Sequence, residues 1–512
     1  MKKLIEKETF ILELLSEIYI SILILLFPLI VDSTAFFHIL ECKWHFYLVT
    51  ACVYIISIIG TLFYFKFFKK SKFLKNIKFS IVQWLAIAFL IINIISCFFS
   101  PFFDKYNLFI GVGRGEGLIM MSLYSITFIF ISLFSKFKKR YILYFSISSI
   151  LVNFIAILQY IGFNPFNMYQ NGIGTHNVSF MSTIGNIDFI SAMFCILLSV
   201  SFSAFVFLEE KKVNKIIHLL SILMGSFIFG IINVQSGKVA FFATLILILP
   251  FIILKNERLS RFLIMVATVL FAYCINIVIN PEYHYSLHSL NLYYQFNYIV
   301  LLFLIVIFIL VYLSFVLKKV KFNFLLNKKI LKYFYLGLFI CAICGVLFIY
   351  FYNFKSGMLY EIHELLHGNF DDRFGTHRIF LWKRTLSIFP QYPIIGSGPD
   401  TFAIRFMAKY TADVAAIGPL TINDTAANVY LTMLINIGIV GLGTYLAFIF
   451  FQIKKGLKDI NEYSVILLIP IVCYLFQDFF NLSLVIVTPI FWLLLALHYK
   501  STCLKKREIS LT

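Results

Sequence analysis

Runs of about twenty apolar residues recur along the whole chain. Each is long enough to cross a bilayer as a helix, since ~30 Å of hydrocarbon at 1.5 Å per residue needs ~20 residues. About fourteen such runs fall at 14–31, 45–65, 80–99, 117–135, 141–162, 184–208, 216–233, 239–254, 262–279, 295–317, 333–352, 428–453, 463–479 and 482–499. The last two are short and share a polar hinge near Asn481, so they also read as one re-entrant pair. The expectation is an all-α polytopic membrane protein with about 14 transmembrane helices. Charge agrees: 13% of residues are charged, against ~25% in soluble chains. The abundance of large apolar side chains excludes disorder. The net charge of +19 lies between the apolar runs rather than on a soluble basic face, which argues against a nucleic-acid partner.

Lys and Arg near the spans set orientation, with the richer side cytoplasmic. With the N-terminus inside, the inner segments include 66–78, 136–140, 255–261, 318–332 and the tail 504–508, and the inner side holds 32 of the 43 basic residues. The outer side holds 11, seven of them in one long segment. This predicts a multi-pass cell-membrane protein with both termini cytoplasmic. The first run carries Glu13 and Glu17 and no small-residue cleavage site follows it, unlike a cleaved signal peptide. The expected organisation is N-terminal spans over 1–79, a central bundle over 80–352, an extracytoplasmic loop over 353–427, and C-terminal spans with a basic tail over 428–512.

The same map puts His38, His45, His176, His284, His288, His363, His367 and His377 outside. Cys341 and Cys344 form a C-x-x-C inside an apolar helix, where they read as small packing residues. No disulfide framework is legible. The long loop of about 75 residues is too long to be structureless in a compact protein. It carries helical patterns at 357–367 and 377–389 and a Pro/Gly-rich turn at 393–402. Arg378 and Trp382, spaced i, i+4, share a face of the second pattern, which fits a helix lying at the outer membrane interface.

Four outer segments draw attention. GVGRGEG (111–117) has four alternating glycines and Arg114, and exposed N–H groups in such a turn can form an anion-binding nest; the alternative is a plain turn. STIGNIDF (182–189) opens the sixth span, with Gly185 and Asn186 at its entrance and Asp188 as a cap favourable to the helix dipole. NVQSGKVAFF (233–242) is a tight connection with Lys238 near a helix start, either snorkelling or gripping phosphate. The fourth segment is the long loop with 425–446. His363-Glu364-Leu365-Leu366-His367 spells H-E-x-x-H, a zinc-protease pattern, but no third ligand accompanies it and no metal is expected.

In this order the four segments resemble the O-antigen ligase and Wzy-type polymerase family of membrane glycosyltransferases. The likeness runs over about 80–498. Gly113-Arg114-Gly115-Glu116-Gly117 matches a G-R-x-E-G turn, and Thr183 through Phe189 a T-x-G-N-x-[ND]-F entrance. Ser236 and Lys238 approximate a Ser-Arg position. Arg378, Trp382, Pro393, Gly396, Gly398 and Phe402 follow R-x-x-x-W…P-x-x-G-x-G-x-x-x-F. The stretch 476–497 is similar to the family's last two helices. The sequence departs at the His-Asn pair, which falls on Ala427-Asn428; alanine cannot act as the base expected there.

The resemblance implies transfer of a glycan from an undecaprenyl-diphosphate-linked donor to an acceptor hydroxyl on a glycan or lipid, at the extracytoplasmic face, without cofactor. Fixed cations would stabilise the diphosphate leaving group, and Arg is suited to a bidentate grip. On this resemblance Arg114, Lys238 and Arg378 are the candidates for the diphosphate, with Arg405 in reserve. Arg378, Asn428 and His377 are the catalytic candidates, His377 as the base, with His367 and Asp424 as other outer groups able to stand in for the missing histidine. Competing readings pair Arg378 with Asp371 or Asp372, make Arg405 a plain interface residue and His377 a plain polar residue. Competing classes are a lipid-glycan flippase or secondary transporter, a zinc protease, and a non-catalytic relative. Mid-span charges, expected of a transporter, are nearly absent.

Overall fold

The computed structural model describes residues 2–31, 38–69, 77–165, 168, 180–253, 255–279, 293–319, 328–417 and 424–504. His176, His284 and His288, and most of the basic segments 66–78, 318–332 and 504–508, lie outside the described residues. Among those described, the helices in chain order are α1 (Lys2–Leu25), α2 (Ile39–Phe67), α3 (Ile81–Phe98), α4 (Leu118–Phe134), α5 (Arg140–Tyr160), α6 (Ile187–Phe207), α7 (Lys212–Ile232), α8 (Gln235–Ile253) and α9 (Asn256–Ile279). They continue with α10 (Tyr293–Lys319), α11 (Lys328–Phe351), α12 (Met358–Leu366), α13 (Arg378–Ile388), α14 (Phe402–Ile417), α15 (Val429–Lys458), α16 (Glu462–Asp478) and α17 (Thr488–Thr502). The described β structure is a two-residue antiparallel pair, β1 (Phe180–Met181) with β2 (Gly185–Asn186), at the entrance of α6.

Eleven helices among the described residues are long and apolar enough to cross a membrane. Eleven of the fourteen expected spans are thus matched by helices of that length and apolarity among the described residues. α4 is apolar but has 17 residues, and α16 and α17 have 17 and 15. A helix satisfies its backbone within one segment, which is why hydrocarbon admits it. The chain is thus an all-α, multi-pass membrane protein.

α6 is the centre. Its span is 94% buried, and it packs against α5, α7, α8, α9 and α16. Beyond Asp188 in its first turn, its side chains are apolar or small serines around the whole circumference, as a helix surrounded by protein requires. At the periphery, the spans in α10 and α11 are 6% and 0% buried, so their phenylalanines and leucines are left to lipid. α3 packs on α15, and α4 on α17. Glu13 and Glu17 of α1 meet Lys136, Lys138 and Arg140 of the 136–140 segment, so the acids in the first apolar run have partners.

Between α11 and α15 the chain has, among the described residues, no helix long and apolar enough to cross a membrane. It folds α13 and α14 around a small core of its own, Phe380, Leu381, Ile388, Phe402, Phe406 and Val414, closed by Ala426 and Ile435, while α12 packs on α11. The helical patterns at 357–367 and 377–389 emerge as α12 and α13. α14 was not expected; its apolar residues are spaced for one face, but the Pro/Gly turn before it masks its start.

Candidate functional site

α15 is broken at Gly438, whose φ of +68° interrupts its helical backbone. The turn 393–398 closes the break. Ile439 N donates to Pro393 O (2.9 Å) and Val440 N to Ile394 O (3.1 Å); in return Ser397 N and Gly398 N donate to Ile435 O (3.2 Å) and Asn436 O (2.8 Å). Approach this close requires glycine. A β-carbon on Gly396 would lie 2.3 Å from Asn436 O, and one on Gly398 would lie 2.9 Å from Ser100 Oγ. Gly396 and Gly398 also have φ of +73° and +113°, where side chains are strained. Arg405 buttresses this clasp. It is 4% exposed, and its guanidinium donates to Ile388 O and lies 3.4 Å from Ile435 O. Arg405 is therefore a buried tie of this clasp rather than an exposed interface arginine, and its Nε is buried without a partner.

The glycine turn 111–117 does form a nest, and a carboxylate of the protein fills it. Gly113 N and Arg114 N donate to Asp400 Oδ2 at 3.0 and 2.9 Å. Asp400 is 6% exposed and has a φ of +58°. Burial pushes its carboxyl up to about 6 against the pull of these N–H groups. The Arg114 side chain pairs with Asp424. Glu116, 5% exposed, accepts from Tyr124 Oη (3.1 Å), and burial pushes it up to about 8. The expected anion site is thus an internal junction that pins the turn to the loop.

Arg378 starts α13 and reaches the α16–α17 connection. Its Nη2 donates to Phe480 O (3.1 Å), and its Nη1 to Gly375 O (3.1 Å) and Thr376 Oγ1 (2.8 Å). Its Nε is buried without a partner. Burial lowers its pKa, and Asp188 at the start of α6 opposes that shift. The alternative pairing with Asp371 or Asp372 does not form: Asp371 holds Arg373, and Asp372 holds Lys383 and Arg384. Asn481 joins the group by donating to Asp188 O (3.1 Å). The cap of α6 is Asn186 rather than Asp188, since Asn186 Oδ1 accepts from Asp188 N (2.7 Å); Gly185, with a φ of +89°, makes the turn before it.

His377 precedes Arg378 with a left-handed φ of +66°, and its Nδ1 is buried without a partner. Trp382 lies one turn on. Its Nε1 donates to Ala426 O (3.1 Å), and its ring meets Phe479 and Phe480. Asn428 caps α15, accepting from Leu431 N (3.0 Å). Ala427 beside it has a φ of +47°. Arg378, His377, Trp382, Ala427 and Asn428 are therefore gathered where α13 meets α6, α15 and the α16–α17 connection.

Lys238 is at the same end of the bundle but on its other flank. Gln477 of α16 donates to Ser191 of α6 and Ser236 of α8, both at 3.3 Å. Ser191 lies one turn beyond Asp188, and Ser236 two residues before Lys238. Lys238 Nζ donates to the Asn233 side chain. It is the charged residue in the lining of an apolar cleft of about 600 Å³, walled by Leu198, Phe229, Phe241, Phe242, Leu245 and Val269, among others.

The sequence reading missed Asp400, Asn481 and Gln477 as links in this end of the bundle. Asp400 had a legible signal, a lone acid after Gly-Pro; the other two are ordinary polar residues in apolar stretches. His363 lies on α12 and His367 caps its C-terminus, with their Nδ1 atoms on Ile349 O and His363 O (2.8 Å each). No group of three or more His, Cys, Asp or Glu suited to a metal occurs among the described residues.

Residues 290–446 match the family model described as O-Antigen ligase (Wzy_C). That stretch contains Arg378, His377, Trp382, Gly396, Gly398, Arg405 and Asn428, whereas Arg114, Gly185, Asn186 and Lys238 precede it. A comparison with curated proteins gives no match.

Proposed function

We propose, on the premise that this chain is an O-antigen ligase-like membrane protein, that it transfers a glycan from an undecaprenyl-diphosphate-linked donor to an acceptor hydroxyl at the extracytoplasmic face. The observation that carries this reading is Arg378. A guanidinium with a buried, unmatched Nε stands at the same end of the bundle as Lys238, which sits in the lining of an apolar cleft. An apolar cleft with one cation in its wall, and a second cation at the same end of the bundle, suit a molecule with a diphosphate head and a hydrocarbon tail. Leaving-group charge grows in the transition state, so fixed cations there lower the barrier. Arg378 is well suited because its fork matches a phosphate's oxygens. In this reading Arg114 acts through the turn it pins, and His377 takes the acceptor proton. Asn428 fixes the start of α15 against which the acceptor would lie.

The test is a deletion strain complemented with wild-type or Arg378→Ala protein. The expected result is lipid-linked glycan accumulating on the outer leaflet and surface glycan lost, in the deletion and in the variant, with the variant still inserted in the membrane. Normal surface glycan in the variant would sink the assignment. Accumulation on the inner leaflet would identify a flippase. Ala427 favours a second reading, a non-catalytic relative that holds lipid-linked glycan; purified protein that binds the donor and never turns it over would establish it.

A further inference from the structure

A cavity of about 40 Å³ lies between α3, the turn 111–117, Asp400 and the first half of α15. Asn93, Arg114, Glu116, Asp400, Thr432 and Asn436 contribute to its lining. Three buried side-chain oxygens of that lining have no hydrogen-bond partner: Asn93 Oδ1, Glu116 Oε2 and Asn436 Oδ1. Asn93 is 1% exposed and Glu116 5%. Asn93 donates its amide nitrogen to Phe89 O (2.8 Å), which leaves its oxygen as the unmatched end. An unmet buried acceptor is costly, and here three border one small void.

Charge points the same way. Glu116 and Asp400 line the cavity together with Arg114, whose charge is already matched by Asp424. Arg114 is engaged with Asp424, and Asp400 with the N–H groups of Gly113 and Arg114. Glu116 has the Tyr124 hydroxyl on one oxygen and nothing on the other. The first half of α15 ends at Gly438, two residues past Asn436, so its negative dipole end lies on the cavity side.

We infer that this cavity binds a monovalent cation of sodium size, held by Glu116 Oε2, Asn93 Oδ1 and Asn436 Oδ1. The volume suits one ion with a water or two, at ~10–15 Å³ each. An all-oxygen donor set suits a hard cation. One free carboxylate oxygen beside two neutral amides is too little negative charge for a divalent ion, which recruits several carboxylates or its own waters. The ion ties α3, the glycine turn and the broken helix together. The site goes beyond glycan transfer and does not depend on it.

Thermal unfolding of the purified full-length protein in detergent micelles tests this, with sodium chloride against N-methyl-D-glucamine chloride at equal ionic strength near neutral pH. The expected result is a saturable rise of ~3 °C or more with sodium. Glu116→Gln keeps an acceptor for Tyr124 and removes the charge, and it should abolish the sodium response. Equal midpoints for the wild type in the two salts would overturn the inference, and this comparison decides alone should the variant not fold. It is equally overturned if acidification stabilises the wild type and sodium does not, which would make Glu116 a proton site. A full sodium response in Glu116→Gln would place the ion elsewhere.

Discussion

Gly438 stands directly against Gly396: a β-carbon built on Gly438 would lie 2.5 Å from the Gly396 nitrogen and 2.2 Å from Ile394 O. Both glycines have left-handed backbones, and each gives the other's strand of chain room to bond. Gly438→Ala and Gly396→Ala should each cost about 3 kcal/mol or more, from strain and a backbone clash together. The measurement is the unfolding midpoint in detergent; Gly443→Ala, with nothing within 4 Å of its β position, should leave it unchanged.

Arg378 and Arg405 separate by readout. Arg405 is buried on backbone carbonyls, so Arg405→Ala should destabilise the loop by about 2–4 kcal/mol, and Arg405→Lys should not restore it, lacking the fork. Stability assays would register both changes.

Arg378→Ala should instead keep the fold and lower glycan transfer by about 10²–10³, with Arg378→Lys intermediate. The check is transfer rate with purified lipid-linked donor. Equal rates for the wild type and both variants would remove Arg378 from the reaction.

His377→Ala should lower transfer by about 10², as loss of a general base does, read as the transfer rate with purified lipid-linked donor. Ala427→His offers an independent check. Its φ of +47° is one that histidine adopts more readily than most residues. The substitution should raise transfer and make His377→Ala tolerable in the same chain.

Stability should fall as pH rises through the acid and neutral range in sodium-free buffer. Asp400 and Glu116 hold protons up to about 6 and about 8 in the folded protein, but only to ~4 when unfolded. The folded state therefore binds more protons in that window, and its stability is greatest below it. Arg114, Asp424 and Tyr124 face the same groups and set the depth of the fall. Glu116→Gln should remove the part between about pH 6 and 8, on the order of 2 kcal/mol, read from unfolding midpoints across pH.

Apolar length predicted the spanning helices, because periodicity and hydrophobicity are local properties. The long loop's helices at α12 and α13 were legible for the same reason. What sequence could not supply was partnership. The glycines of 111–117 correctly signalled an anion nest, but its occupant, Asp400, lies nearly three hundred residues away. Arg378 carried a motif and its position on a helix, yet the carbonyl it meets belongs to Phe480, and the nearby acids Asp371 and Asp372 were the more obvious partners. The break at Gly438 was hidden inside an apolar run, where a glycine reads as helix until a second chain segment demands the opposite.

The closure of that break by residues 393–398 has a consequence for biogenesis. Peptide groups left open in hydrocarbon are costly, so a helix interrupted at Gly438 is a poor candidate to enter lipid alone. Ribosomal synthesis runs from the N-terminus, and the turn that completes α15 is made about forty residues before the gap it fills. The nascent chain thus carries the matching surface before the incomplete helix emerges, and α15 is expected to insert together with the folded loop rather than ahead of it.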